Sequence, residues 1–320
     1  MDELLVVEDL KTHFFTRRGV AKAVDGISFT LRHGESLGLV GESGCGKSMT
    51  CLSILRLVPE PAGKIVGGRI LLRGENLLEK SGKEMHKIRG GQIAMIPQSP
   101  MTALDPVFSI WSQLSETITL HQQLKGKSVW NRAIDSLREV RIPAPEDRLR
   151  AYPHELSGGM RQRVIGAMAL ACEAKLIIAD EPTTALDVTI QAQYLTLLRE
   201  MRSRLGAGLI FITHDLGIVE SMCDKVAVMY AGKIVEEAPV EVIFKSPRHP
   251  YTQALIESVP KLDRKTDRLK AIDGQPPPLC DVPAGCAFRP RCPMATAQCN
   301  KAPSHVQVQE GHWVRCWQCP

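Results

Sequence analysis

No apolar run in the chain reaches the roughly 18 residues that a membrane span requires. The longest, Val164 to Ala179, is interrupted by Glu173 and Lys175, so any membrane role is expected to be peripheral. A secretory signal is missing as well: Met1 to Leu10 carries acids where a signal carries bases, and no apolar segment follows. The expected compartment is the cytosol. Nor is there a large excess of one charge, since 40 Lys and Arg stand against 35 Asp and Glu, a formal +5. That is too little to demand nucleic acid, though compatible with polyanionic ligands or an anionic lipid surface. No internal repeat is evident. What is present is ordinary for a globular protein: 44% hydrophobic and 23% charged residues exclude wholesale disorder. At 320 residues there is room for one large domain plus a smaller piece, or for two modest domains.

Cysteine and proline are plentiful but uneven. Six of the ten cysteines lie between Cys280 and Cys319, and 12 of the 21 prolines at or after Pro239. In a reducing compartment these cysteines are not expected to form structural disulfides, and the run Pro276-Pro277-Pro278 suits neither a helix nor a central strand. A domain boundary is therefore expected near residue 240. Before it, strand-like runs at Ser36 to Val40, Gln92 to Ile96, Leu176 to Ala179, Leu209 to Thr213 and Lys225 to Tyr230 alternate with helical spacing, as at Lys47 to Leu57 and Val188 to Arg204. The pattern is α/β. Pro100 to Tyr152 has helical spacing without strand-like runs and is expected to form an inserted α-helical subdomain. After 240, Val240 to Phe244 and Tyr251 to Val259 are expected to be short helices, the second opened by His249-Pro250. From Asp273 onward the chain is loop-like and is expected to need something other than a hydrophobic core.

Gly41-Glu42-Ser43-Gly44-Cys45-Gly46-Lys47-Ser48 fits G-x-x-x-x-G-K-[ST] directly after a strand and before a helix that continues through Met49. Backbone N–H groups of such a loop and the helix N-terminus cradle phosphates. Lys47 suits the β- and γ-phosphates and Ser48 a Mg²⁺ ion. Lys175 to Glu181 is an apolar strand that ends in two carboxylates, at the edge where open parallel sheets bind ligands. Asp180 suits the Mg²⁺ shell and Glu181 the attacking water. Together these motifs predict a P-loop NTPase. A second anion-binding helix start, Ser157-Gly158-Gly159-Met160, follows Leu156. One triphosphate has little use for two such sites in one chain, so a dimer is expected in which each nucleotide is sandwiched between the first motif of one subunit and the second of its partner.

With Leu156 to Met160, the sequence closely resembles the ATP-binding cassette (ABC) family, whose signature usually ends in Gln where this chain has Met160. The resemblance covers nearly the whole of the first 240 residues. It implies a RecA-like core with antiparallel β and α-helical subdomains, and it implies further site residues. Phe14, after the first strand, resembles the aromatic that stacks on adenine, with His13 and Phe15 as flanking alternatives. Gln98 resembles the Q-loop glutamine that senses Mg²⁺ and water. Ala185-Leu186-Asp187 resembles the D-loop, and His214 the switch histidine at the γ-phosphate. Lys47, Gln98, Glu181 and His214 together imply hydrolysis of ATP with Mg²⁺.

A single compact cassette favours a transporter subunit over the soluble ABC machines that act on nucleic acid. Ser246 to Leu255, with His249-Pro250-Tyr251, resembles the C-terminal extension of oligopeptide and dipeptide importer ATPases, a group that includes nickel and glutathione relatives. The resemblance implies two transmembrane permease subunits docked through the Pro100 to Tyr152 region and a second, related but different ATPase subunit. It also implies an extracellular or periplasmic substrate-binding protein, and a place on the cytoplasmic face of the cell membrane. The chain then divides into an ATP-binding domain, 1–240, and an extension, 241–320. Cys286-x5-Cys292-x6-Cys299-x16-Cys316 supplies four thiols in a loop segment, enough for a [4Fe-4S] cluster or a tetrahedral zinc. The resemblance favours the cluster, and Cys280 and Cys319 are alternative ligands. Cys45, inside the phosphate loop, is expected to sensitise the ATPase to thiol reagents.

Overall fold

The computed structural model describes residues 3–184, 186–259 and 272–319. The chain divides into two compact units, Met1–Glu79 with Phe211–Pro320, and Lys80–Ile210.

The first unit opens with β1 (Glu3–Thr16) and β2 (Gly19–Arg32), an antiparallel hairpin, followed by β3 (Ser36–Val40), α1 (Lys47–Ile54), β4 (Gly63–Leu72) and β5 (Glu75–Asn76). β4 pairs with the other edge of β1, giving the antiparallel order β2-β1-β4-β5. Leu5, Val7, Leu10, Val24, Ile27 and Ile70 bury one face of this sheet. The register slips between Val7 and Leu10 and again before Lys11. β1 therefore does not keep the strict alternation by which a strand is recognised in sequence, and Phe14 lies inside it rather than after it.

The second unit runs through α2 (Gly82–Ile88), β6 (Ile93–Ile96), α3 (Pro100–Ala103), α4 (Ile110–Gln122), α5 (Lys127–Glu139), α6 (Pro145–Arg150), α7 (Gly158–Ala171), β7 (Leu176–Asp180) and α8 (Val188–Leu205). The region from Pro100 to Tyr152 is helical, as its spacing predicts. α5 buries Val129, Ala133, Ile134 and Leu137 at helical intervals. β6 and β7 pair in parallel, Ile93 beside Leu176.

β8 (Gly208–Thr213) leads into α9 (Leu216–Met222), β9 (Lys225–Tyr230), β10 (Lys233–Pro239), α10 (Val240–Lys245), α11 (Pro250–Glu257), β11 (Val306–Gln309) and β12 (His312–Val314). β3 lies parallel to β9, and the first unit's own strands continue in the order β3-β9-β10-β12-β11. α1 stops at Ile54 rather than Leu57 because Arg56 adopts a positive φ of 52°, which ends the helix.

The tail departs from expectation. β12 pairs with β10 (Glu236 beside Val314), so the last segment extends a sheet. Strands of three and four residues are too short to show a period. The tail also contributes apolar burial: Phe288 is 1% exposed and lies 5.3 Å from both Tyr230 and Tyr251. A buried polar knot ties the pieces together. The Glu236 carboxylate, fully buried, accepts from the N–H groups of Arg248 and His249 and meets His312 Nε2 at 2.7 Å.

His249 caps α11, its Nδ1 accepting from the N–H of Tyr251 at 3.0 Å. Burial lowers its pKa to about 3. The folded state then holds the ring neutral while the unfolded chain protonates it below about pH 6.5. Stability from this group is complete above pH 6.5 and is lost as pH falls toward 3, by about 1.4 kcal/mol per pH unit. Urea unfolding of His249→Asn between pH 6.5 and 4.5 should show a slope about one proton shallower than the native chain. Equal slopes would contradict the assignment.

Candidate functional site

β3 is buried at every residue, and this aliphatic strand delivers Gly41 to the head of a tight loop. Gly46 caps α1 at φ 109°. A Cβ there would stand 2.1 Å from the Ala23 carbonyl oxygen, and one on Gly41 would stand 2.3 Å from that of Met229. The loop is thus pressed against neighbouring backbone on one side, while Ser43 and Gly44 are exposed on the other. The N–H groups that open α1 have no carbonyl of their own helix to bond, which suits them to an anion. Lys47 is 5% exposed, and its Nζ donates to the carbonyls of Gly41 (2.7 Å) and Glu42 (3.1 Å), so its charge is held within the loop. Ser48 and Met49 follow in α1.

Cys45 does not match its expected reactivity. It is 4% exposed, and burial pushes its thiol pKa up, with Lys47 opposing. A buried neutral thiol is a poor target for thiol reagents. Glu42 has two partners from far along the chain. Its N–H donates to the Tyr251 hydroxyl at 2.9 Å, and its carboxylate takes a bidentate pair from Arg291 at 2.7 and 2.9 Å. In the same unit His214 is exposed just after β8, and Asp215 caps α9 through the N–H of Gly217 at 2.9 Å. The Phe14 ring lies against Gly63, whereas Phe15 is 50% exposed.

The second unit carries the carboxylates. β7 is buried throughout and ends in Asp180. Glu181 follows at φ 43°, an uncommon conformation for a residue before proline that turns the chain sharply at the strand end. Gln98 Nε2 donates to Glu181 Oε2 at 3.1 Å, and Thr184 Oγ1 donates to the same oxygen at 3.1 Å. Two of the expected catalytic side chains therefore meet. Ser157 caps α7, accepting from the N–H of Met160 at 3.3 Å. Gly158 and Gly159 form the first turn of that helix. They line a cavity of about 530 Å³ together with Asp187, Arg141 and Arg163. Arg141 is paired with Glu200 and Arg163 with Gln193, each at 2.7 Å. Asp187 caps α8 through the N–H of Ile190 at 2.9 Å. Ala185 of the expected D-loop lies outside the described residues.

The ABC transporter family profile matches residues 24–184, and that of the oligopeptide/dipeptide transporter C-terminal region matches 235–299. A probable peptide ABC transporter ATP-binding protein of Sinorhizobium fredii is 51% identical over 99% of this chain and 95% of its own length. The dipeptide transport ATP-binding protein DppD of Bacillus subtilis is 47% identical over 99% and 95%. The chain belongs to the ABC transporter ATPases. Among solved structures, cbiO1 of Clostridium perfringens, part of the ABC transporter complex cbiONQ, aligns at 29% identity and TM-score 0.65, covering 77% of this chain and 92% of that one. A dimeric ATP-binding cassette in a post-hydrolysis state, bound to ADP and Pi, aligns at 23% identity and TM-score 0.66 over 74% and 98%, which supports the fold.

This ABC ATPase has the P-loop NTPase α/β fold, and its family binds ATP with Mg²⁺ and works as a cassette dimer beside permease partners. Ser48, Gln98 and Asp180 are oxygen donors suited to Mg²⁺. No helix among the described residues is long and apolar enough to cross a membrane. The expected tail cluster is not displayed: among the described residues no three His, Cys, Asp or Glu are gathered into a group that could hold a metal. Cys280 is exposed, and the Cys316 thiol faces the N–H of Gln318 at 3.4 Å and the thiol of Cys319. Burial pushes the Cys286 and Cys292 thiols up, the charges of neighbouring cysteines adding to it. Motif reading missed Arg141, Arg163 and Arg291, because a lone arginine carries no spacing signal.

The backbone constraint at Gly46 is directly testable. Gly46→Ala, measured by ATP titration of the full chain, should abolish nucleotide binding while the melting temperature of the second unit's helices changes little. Unimpaired binding would contradict the placement of the loop.

Proposed function

We propose that this subunit energises import of di- or oligopeptides by hydrolysing ATP at two composite sites in a cassette dimer. Each site pairs the phosphate loop, Gly41 to Ser48, of one cassette with the signature helix start, Ser157 to Gly159, of the other. The observation that carries the proposal is the presence in one chain of two helix starts suited to anions, together with a Gln98–Glu181 pair at the end of a buried strand. Lys47 and the N–H groups of the loop hold the β- and γ-phosphates. Glu181, oriented by Gln98, positions the attacking water, and His214 contacts the γ-phosphate. Asp187 approaches the partner cassette, and Phe14 stacks on the adenine. Ser48, Gln98 and Asp180 are the residues that would hold Mg²⁺, which would supply neutralisation of the phosphate charge.

The ATP-binding domain, 1–240, would be followed by the extension, 241–320. The second cassette is proposed to be a related but different chain, and a separate binding protein to select the peptide. Met101, Val107, Phe108 and Leu120 are exposed apolar side chains of the helical region, where two permease subunits would dock and hold the ATPase at the cytoplasmic face of the membrane. Nickel chelates and glutathione are the competing cargoes within the same family. A metal centre on Cys286, Cys292, Cys299 and Cys316 rests on their spacing and on their loop setting rather than on gathered thiolates.

Glu181→Gln should keep ATP affinity within a few-fold and lose turnover by about a hundredfold or more, accumulating an ATP-bound dimer with the partner cassette on size exclusion. Normal turnover would remove Glu181 from this role. Anaerobic purification followed by iron, sulfide and zinc analysis should return about four irons and four sulfides per chain. One zinc without iron would replace the cluster by a tetrahedral site, and neither element would remove the metal from the proposal.

A further inference from the structure

A phosphate-binding loop that contains a carboxylate poses an electrostatic problem. Glu42 follows Gly41 directly, and its own carbonyl receives Lys47 Nζ, so its negative charge lies in the loop that must accept a polyanion. Unscreened, two like charges a few ångströms apart at a protein surface repel by an amount that matters to binding.

The tail supplies the counter-charge. Arg291, 249 residues further on, gives Glu42 two parallel N–H···O bonds of 2.7 and 2.9 Å, the strongest geometry available to such a pair. The Arg291 side chain is only 5% exposed. The rest of its fork is also engaged: Nε donates to the Asp273 carbonyl at 2.9 Å, and Nη1 reaches the Tyr230 hydroxyl at 3.3 Å. The guanidinium also lies 5.9 Å from the ring centres of Tyr230 and Phe288. From the other side, fully buried Tyr251 holds the Glu42 N–H. The extension therefore takes both the backbone and the side chain of this one loop residue.

We infer that Arg291 is a positioning residue for nucleotide binding: it neutralises Glu42 and, with Tyr251, fixes the head of the phosphate loop, so that the C-terminal extension sets the affinity for ATP. The inference rests on the assignment of Gly41 to Ser48 as the nucleotide site. It predicts a penalty that grows with ligand charge, which simple loss of packing would not produce.

The test is a double-mutant cycle on the full chain, purified anaerobically, with Kd values for ATP and AMP from calorimetry. Arg291→Gln should weaken ATP binding by about tenfold, and AMP binding by clearly less. Arg291→Lys, which keeps the charge but not the fork, should recover most of the loss. In a Glu42→Gln background the same Arg291→Gln change should cost less than about twofold, because no charge is left to compensate. ATP affinity unchanged in Arg291→Gln, or an equal loss in both backgrounds, would overturn the inference and leave the loop assignment standing. Should Arg291→Gln fail to fold, the Arg291→Lys and double variants carry the same comparison. Lys47→Ala should abolish ATP binding, and native affinity in that variant would overturn the loop assignment itself.

Discussion

A row of backbone N–H groups must face a polyanion with no side chain in the way, and most of the first unit is arranged around that requirement. β3 is buried along its whole length and parallel to β9, which fixes the point where Gly41 leaves the sheet. The Ala23 and Met229 carbonyls close on the back of the loop and leave no room for a Cβ at Gly46 or Gly41. α1 then begins directly from that loop, its first N–H groups lacking carbonyl partners within their own helix. A loop fixed in this way is suited to the proposed phosphate binding without first having to be ordered.

The extension reinforces the same loop from a distance. Its anchor is a buried carboxylate, Glu236, shared by the start of α11 and by His312 on β12. Breaking one partner of such a knot leaves a buried polar group without its hydrogen bond, so the knot favours all of its parts being in place together. On that anchor stand Tyr230, Tyr251 and Phe288, whose rings meet edge to face or tilted, and through them Tyr251 and Arg291 reach Glu42. Tail and phosphate loop are thus one mechanical piece within the first unit, although they lie at opposite ends of the sequence.

The difference between what was legible and what was not follows sequence distance. Ser36–Val40 and Lys225–Tyr230 have as strands the bounds their β-branched runs predict, because buried parallel strands write their burial into a continuous apolar run. The loop at Gly41 to Ser48 and the cap at Ser157 were readable because a turn and a helix start are local. Gln98 beside Glu181 was foreseeable only through family resemblance, since 83 residues separate them. The pairing of Glu42 with Tyr251 and Arg291 spans 209 and 249 residues and leaves no local pattern. β1 and the β11-β12 hairpin were obscured for another reason: the first slips register and the second is too short for alternation to show.

The central claim is that nucleotide meets the phosphate loop within one cassette and the signature helix only in a dimer. Amide hydrogen exchange on the full chain, with ATP added in the absence and in the presence of the partner cassette, separates the two. Protection of residues 41–50 under both conditions, with protection of 157–161 only when cassettes pair, is the predicted result. Protection of 157–161 by ATP in this chain as a monomer, or no protection of 41–50 under either condition, would contradict it.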